Sequence, residues 1–533
     1  MHAVDDLRVV HLSSIPSSSH SNSMKNLTEF DLNKINEALL LAQQTQSCPQ
    51  AIQIFDEILK EHPNQPDALH GKALALFQQK NFQDALGYFE QAIFQAPHVA
   101  EFHNNYANAL KFCGQINPAL QHYHEALRLK QNYPQAQNNL GALHYKLGHY
   151  REAMQYFEKS IRMNPDSAET HFNLANCYVQ LNRLLDAVAH FKEVCKLQPT
   201  HLGALHNLGI GLCNLKNFDE AKPYLEQTVA KEPENVDAWF HLGIIYSALA
   251  QAQNAKNAYE KVIELKPSHG EAYHNLATIY LHLNNKEKAL SHFKSALKYM
   301  PNNDTAQHMI LALEGKSSEQ GAPLEYTRAL FDQYAYNYDA HVKNELKYQV
   351  PFLLRQMVTP YLSQSIHAPW KILDLGCGTG LCAPYFADLA ADLIGVDVSP
   401  NMLEVAKKSN AYFKLVVDDA VHYLKQKNDE YELILCADVL VYFGSLEEIF
   451  HYVHRALKTN GLFCFSVEAL TEQEISSVEN PRYVLRTTGR YAHHPHYIDS
   501  LSQHFTIETQ QNEVIRYQDG QALQGILYVL RKK

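Results

Sequence analysis

The run Asp374-Leu375-Gly376-Cys377-Gly378-Thr379-Gly380 has the make-up of a ligand-binding turn. It follows a short apolar segment, 371–375, and precedes a helical pattern at about 381–390. Glycines at alternate positions let the backbone approach a ligand closely, and a helix opening just after them offers unpaired N–H donors to an anionic group. Carboxylates recur where further apolar segments end. Asp397 follows 393–396, Asp418 and Asp419 follow 413–417, Asp438 follows 433–437, and Glu468 follows 462–467. Residues at strand ends face one crevice in an open α/β sheet. Asp438 and Glu468 are equally suited to cap the helices after them. A later stretch gathers Arg486, Arg490, Tyr491, His493, His494 and His496. Arg490 can clamp an acidic group in bidentate fashion, and His493 or Tyr491 can move a proton. The plainer alternative is a solvated loop with incidental histidines.

The elements that position these residues alternate. Apolar strand patterns at 371–375, 393–396, 413–417, 433–437 and 462–467 are separated by helical ones, and two more lie near 505–510 and 525–531. Ser399 and Pro400 open one helix as N-cap and first-turn residue. Alternation of this kind predicts a doubly wound sheet. A nicotinamide-binding turn would read GxGxxG; here the third glycine comes one residue early.

In order and spacing, Asp374-Leu-Gly376-Cys-Gly378-Thr-Gly380, Asp397 and Asp418-Asp419-Ala420 resemble the motifs of class I methyltransferases. The resemblance implies S-adenosyl-L-methionine as cofactor on a Rossmann-like, mixed seven-stranded sheet. It implies that Gly376, Gly378 and Gly380 admit the amino-acid part, and that Asp397 accepts the ribose hydroxyls. Asp418 and Asp419 then stand at the adenine, with Asp419 accepting from its amino group. Val398, Met402, Ala420 and Ala437 are the remaining expected contacts. Asp374 is expected beside the amino group or as a support of the glycine loop alone. The runs 329–342, 346–351, 436–450, 463–468 and 489–498 extend the resemblance to a bacterial group of methyltransferases often fused to helical repeats. That group implies a lid helix with Tyr334 and Tyr338, and contact by Tyr348. Asp418 departs from the wider superfamily, where glycine is common.

The first sixty per cent of the chain is periodic. Proline stands at 63, 97, 165, 199, 233, 267 and 301, in steps of 34 residues with one position skipped. Alanine stands at 85, 119, 153, 187, 221, 255 and 289 without a gap. At an alanine usage of about one in ten, that register has a chance on the order of one in ten million, so it is a repeat. Four residues after each alanine comes Phe89, Tyr123, Phe157, Phe191, Leu225, Tyr259 or Phe293, and twelve before it a small residue such as Ala73 or Gly141. Each unit reads as two antiparallel helices, the small residue admitting the second helix and proline ending it. The pattern, complete in Trp239, Leu242, Gly243, Tyr246, Ala255, Tyr259 and Pro267, resembles the tetratricopeptide repeat.

The expected order is a disordered tail (1–31), a degenerate capping repeat (32–65), seven repeats (66–303), a closing helix and polar linker (304–323), and a methyltransferase domain (324–533). Asn105, Asn139, Asn173, Asn207 and Asn275 share one inner-helix position. The array resembles repeat proteins in which such asparagines clamp the backbone of an extended peptide, and a side-chain amide offers both a donor and an acceptor. Solvation of the inner helices is the alternative.

Composition narrows the function. The net charge of −11 gives no reason to expect nucleic acid or an anionic membrane surface. No metal-ligand spacing occurs among the nine cysteines or thirty histidines. With no leader pattern or apolar run of spanning length, a cytoplasmic protein is expected. The readings are a methyltransferase acting on a protein or peptide held by the repeats, a small-molecule methyltransferase docked by them, with carboxylic acids among its candidate acceptors, or a binding scaffold on an inactive fold. The intact motif set opposes the last.

Overall fold

The computed structural model describes residues 29–533 apart from 320, 336–337, 340–341, 343–345, 363–368, 478–480 and 519–520. The expected tail lies outside the described residues up to position 28, and a helix begins at Glu29. The chain divides into two compact units, one ending at Gln251 and the other running from Ala252 to Lys533.

In the first unit helices pair as the period predicts. Pro66–Gln78 packs with Phe82–Gln95, Ala100–Phe112 with Ile116–Leu129, and Pro134–Lys146 with Tyr150–Met163. Ala168–Gln180 and Leu184–Leu197, then Leu202–Asn214 and Phe218–Lys231, continue the series to Val236–Ala248. The in-register alanines are fully buried, and so are Phe89, Tyr123, Phe157, Phe191 and Leu225. At Gly141 an added Cβ would stand 2.8 Å from the Phe157 ring, so the small position exists because the ring fills it. Glu29–Leu41 and Cys48–Glu61 form the degenerate first pair, closed over Phe55.

The second unit holds the last repeat helices and the α/β domain. Ala252–Leu265, Gly270–His282, Lys286–Tyr299 and the closing helix Asp304–Leu313 precede it. The strands are β1 (Trp370–Leu375), β2 (Ala390–Asp397), β3 (Lys414–Val417), β4 (Tyr431–Cys436), β5 (Leu457–Ala469), β6 (Tyr483–Leu485), β7 (Tyr491–His493), β8 (Phe505–Gln518) and β9 (Gln521–Lys532). β3-β2-β1-β4-β5 are parallel, and β9 continues the sheet antiparallel to β5 with β8 outside it. Those seven strands are the expected mixed sheet. The sheet has nine because β5 outruns β4: its last pair with β4 is at Phe465, and the β6–β7 hairpin takes up Glu468 and Ala469. The helix expected at 381–390 is only Ala383–Phe386, since β2 already begins at Ala390.

The polar stretch after the closing helix is no free linker. Ser317 Oγ accepts from the Leu485 N–H at 3.0 Å, Ser318 O from the Tyr491 hydroxyl at 3.1 Å, and Glu319 O from the Ser445 N–H at 3.3 Å. The Ala322 N–H donates to Tyr442 O at 2.7 Å. Gly444 is required beside this strap, because a Cβ there would stand 2.4 Å from Ser318 O. The closing helix meets the helix Leu324–Tyr334 through His308 and Tyr326, whose ring centroids lie 5.0 Å apart. Its Ala312 packs on Leu485 and Tyr491, and its His308 Nε2 lies 3.0 Å from Gly489 O. No helix among the described residues is long and apolar enough to cross a membrane.

Candidate functional site

The glycine turn runs from β1 under the end of β2. Gly376 and Cys377 donate to Val396 O at 2.7 and 3.0 Å, and Gly378 donates to Asp397 Oδ2 at 2.9 Å. Gly376 and Gly378 hold φ of 65° and 54°, where a side chain is strained. At Gly376 a Cβ would also meet Val439 at 2.3 Å, whereas the space beside Gly378 is open. Asp397 Oδ1 accepts from the Ser399 N–H at 2.8 Å, so one carboxylate ties the glycine turn to the helix Pro400–Ala406. Burial raises the Asp397 pKa against these two N–H bonds.

A cavity of about 980 Å³ opens at these strand ends. Its wall includes Gly376, Gly378, Asp397, Val398, Met402, Asp418, Asp419, Ala420 and Ala437 from the expected cofactor set. Three expected contacts are off this wall. Asp374 is buried behind the turn and accepts from the Tyr412 hydroxyl at 2.7 Å. Burial pushes its pKa up to about 7. Gly380 turns at φ 92° against Tyr412. Tyr348 is half-buried near Tyr338 and Asp438, and burial and that carboxylate hold its hydroxyl well above the usual range. Asp419 caps the helix Ala420–Leu424 through the His422 N–H at 2.9 Å, and Asp418 Oδ1 takes the Asp419 N–H at 2.8 Å.

The expected lid helix is Leu324–Tyr334. Its Asp332 accepts from Ser399 Oγ at 2.5 Å, and its Arg328 Nε donates to Val398 O at 3.2 Å. Phe331 and Tyr338 stand on the cavity wall. The side chain of Tyr334 lies outside the described residues.

The cavity fits S-adenosylmethionine in its donor set. Asp397 has used one lone pair on each oxygen, leaving acceptor capacity for two hydroxyls. Val398, Met402 and Ala420 supply an apolar wall, and the carboxylates of Asp397, Asp418, Asp419 and Asp438 line the same cavity.

The loop expected to face the acceptor is the β6–β7 hairpin, and it corrects three assignments. His493 is fully buried, with Nε2 3.0 Å from Phe443 O and 3.2 Å from Gly444 O. Burial lowers its pKa to about 4, and a nitrogen facing carbonyls carries the proton, so it is unsuited to act as a base. Tyr491 is fully buried and spends its hydroxyl on Ser318. Arg490 is not on the cavity wall. Its Nε donates to the Tyr442 hydroxyl at 3.2 Å, and Tyr442, Asp438 and Glu468 raise its pKa.

Arg516 belongs to no motif of the sequence; it projects from β8 into the domain and is 1% exposed. Nη1 meets Asp438 Oδ1 at 2.5 Å and Nη2 pairs with Glu468, whose other oxygen meets Arg486 Nη1 at 2.7 Å. Asp438 sits at φ 58°, rare for a residue with a side chain, and faces the cavity. One guanidinium thus joins the carboxylates at the ends of β4 and β5.

The asparagine series is joined from repeat to repeat in the first unit. Asn139 Nδ2 donates to Asn104 Oδ1 at 3.0 Å, Asn173 to Asn138 at 3.1 Å, and Asn207 to Asn176 at 3.3 Å. Asn105 Nδ2 lies 3.1 Å from His70 Nε2, and in the second unit Asn275 donates to the Tyr259 hydroxyl at 3.4 Å. Asn139, Asn173, Asn207 and Asn275 remain half-buried, and Asn105 is buried.

Fold and site together define a tetratricopeptide-repeat array followed by a methyltransferase domain. The family described as "Methyltransferase domain" matches residues 372–461. Tetratricopeptide-repeat families match 35–110, 107–148 and 248–313, and the middle TPR-like domain of cilia and flagella-associated protein 70 matches 142–266. Among curated relatives, the ubiquinone biosynthesis O-methyltransferase of Pelagibacter ubique is 28% identical over 120 residues, 22% of this chain and 50% of that one. The mitochondrial enzyme of that name from Schizosaccharomyces pombe is 30% identical over 107 residues, 19% and 39% of the two chains. The chain spans about half the length, or less, of these relatives. Among solved structures, MamA from Desulfovibrio magneticus is 24% identical with a TM-score of 0.30, covering 32% of this chain and 97% of that one. YrrB, a TPR protein with an unusual peptide-binding site, is 24% identical with a TM-score of 0.27, covering 41% and 96%.

Proposed function

We propose that the C-terminal domain transfers a methyl group from S-adenosylmethionine to an acceptor carried by a protein, and that the repeats hold that protein. One observation carries the reading: a single cavity is walled both by nine of the twelve expected cofactor residues and by Asp304, Gln307, His308 and Leu311 of the closing repeat helix. The cofactor supplies an electrophilic methyl on a sulfur that leaves neutral. The chain's own task is position and exclusion of water. Asp397 orients the ribose side, the glycine turn admits the amino-acid side, and the helix Leu324–Tyr334 covers the mouth through Asp332 and Arg328. Tyr338, Tyr442 and the fixed carboxylate of Asp438 border the acceptor side.

The second reading is a small-molecule acceptor, favoured by relatives whose name places them in ubiquinone biosynthesis. Methyl-labelled S-adenosylmethionine, incubated with the full chain and a lysate of the source organism, separates the two. Label in a protein band supports the first reading; label confined to small molecules replaces it with the second.

A further inference from the structure

The acceptor side of the cavity has a charge of its own. Away from the expected cofactor residues, its wall carries six carboxylates, Asp304, Glu319, Glu325, Asp438, Glu447 and Glu448, against one lysine, Lys425, and no arginine. Four of them face a base: Asp438 has Arg516, Glu447 has Arg482 at 3.1 Å, Glu448 has Lys425 at 2.8 Å, and Glu325 has Arg328 at 4.0 Å. Asp304 and Glu319 are exposed and make no ion pair among the described residues. Of the two histidines on the wall, His308 is buried, and burial lowers its pKa, while His422 is exposed with Nδ1 2.7 Å from Asp418 Oδ1. Arg490, the cation that would have favoured an acidic acceptor, is off the wall.

The mouth also has a side that points to a polypeptide. Positions 304, 307, 308 and 311 share one face of the closing helix, and each lies 34 residues after 270, 273, 274 and 277 of the preceding inner helix. In the array that face meets an outer helix; on the closing helix it meets the helix Leu324–Tyr334 at Tyr326, whose ring centroid lies 5.0 Å from that of His308, and Asp304, Gln307, His308 and Leu311 border the cavity. The opening to the cofactor end is framed by the closing helix and by the hydrogen-bonded residues 317–319 and 321–322.

Resting on the reading above, we infer that this mouth receives a lysine- or arginine-rich segment of a protein, with its acceptor group passing between Tyr338 and Tyr442 toward the glycine turn. Charge complementarity at a water-filled rim raises encounter and selects against acidic segments.

The test uses the full chain saturated with S-adenosylhomocysteine and four probes: a short lysine-rich peptide, its Lys→Gln and Lys→Glu counterparts, and spermidine. The lysine peptide should bind, and its Kd should rise about tenfold or more between low salt and about 0.5 M salt. The double variant Asp304→Asn/Glu319→Gln should weaken that peptide about three- to tenfold, from two exposed charges, without changing affinity for S-adenosylhomocysteine. Equal or tighter binding of the Gln or Glu peptide would overturn the inference. So would spermidine matching the peptide, which would make the ligand a small polycation. Failure of the parent protein to bind S-adenosylhomocysteine would instead remove the methyltransferase reading beneath it.

Discussion

Arg516 offers a quantitative perturbation. Arg516→Met keeps most of the aliphatic stem and deletes the guanidinium that meets both Asp438 and Glu468. Glu468 is 2% exposed and retains Arg486; Asp438 is 14% exposed and loses its ion-pair partner. Breaking one side of a buried pair costs about 3–5 kcal/mol because a charge is left without compensation. Asp438 borders the cavity, so water can reach it and the lower end applies. At about 2–4 °C per kcal/mol for a domain of this size, the melting temperature should fall by about 6–12 °C. The chain has two tryptophans, and Trp370 in β1 is 3% exposed. In a Trp239→Phe background its fluorescence therefore reports the catalytic domain. Adding Asp438→Asn to Arg516→Met removes the stranded charge and should recover more than half of the loss. A single variant melting within about 2 °C of its parent, or a double variant no better than the single one, would refute the claim that Arg516 compensates Asp438 inside the fold.

Two further expectations concern titration and the repeats. The Asp374 pKa is about 7 in the fold against 3.8 for the free side chain, so the folded state holds a proton that the unfolded chain has lost. Stability should fall as pH rises from about 4 to about 7, and Asp374→Asn should flatten that slope by a few kcal/mol; parallel melting curves across this range would contradict it. Replacing Asn139, Asn173 and Asn207 with Ala should cut capture of the protein partner in pull-downs and leave cofactor affinity unchanged. Because each amide also bridges to the preceding repeat, the triple variant should lose about 1 kcal/mol per site in denaturant unfolding of the array; unaffected capture would reduce the series to that structural role.

The parts legible in the sequence are those with a short-range signature. The 34-residue period is written in residue size, because Gly141 and Phe157 fill one another's space. The parallel strands are legible because, buried on both faces, they read as apolar runs. Asp397 was legible because its place depends on the end of β2 alone. The β6–β7 hairpin has strands of three residues, too short for any period, and it exists only because β5 outruns β4. Hence His493 and Tyr491 read as reactive loop residues when they are buried supports. Arg516 stands in a polar, alternating stretch, and its partners lie 78 and 48 positions away. Residues 317–319 and 321–322 have the composition of a linker, and the hydrogen bonds of Ser317, Ser318, Glu319 and Ala322 to residues 442, 445, 485 and 491 leave no local trace.

The most direct measurement is a calorimetric titration of S-adenosylmethionine into the full chain and into Asp397→Ala. The account predicts one site per chain. It predicts loss of about a hundredfold or more in the variant, from two hydrogen bonds to a charged acceptor at about 1.5–3 kcal/mol each, with the Trp370 signal still that of a folded domain. Equal affinity in a folded variant, or no binding by the parent protein, would contradict it.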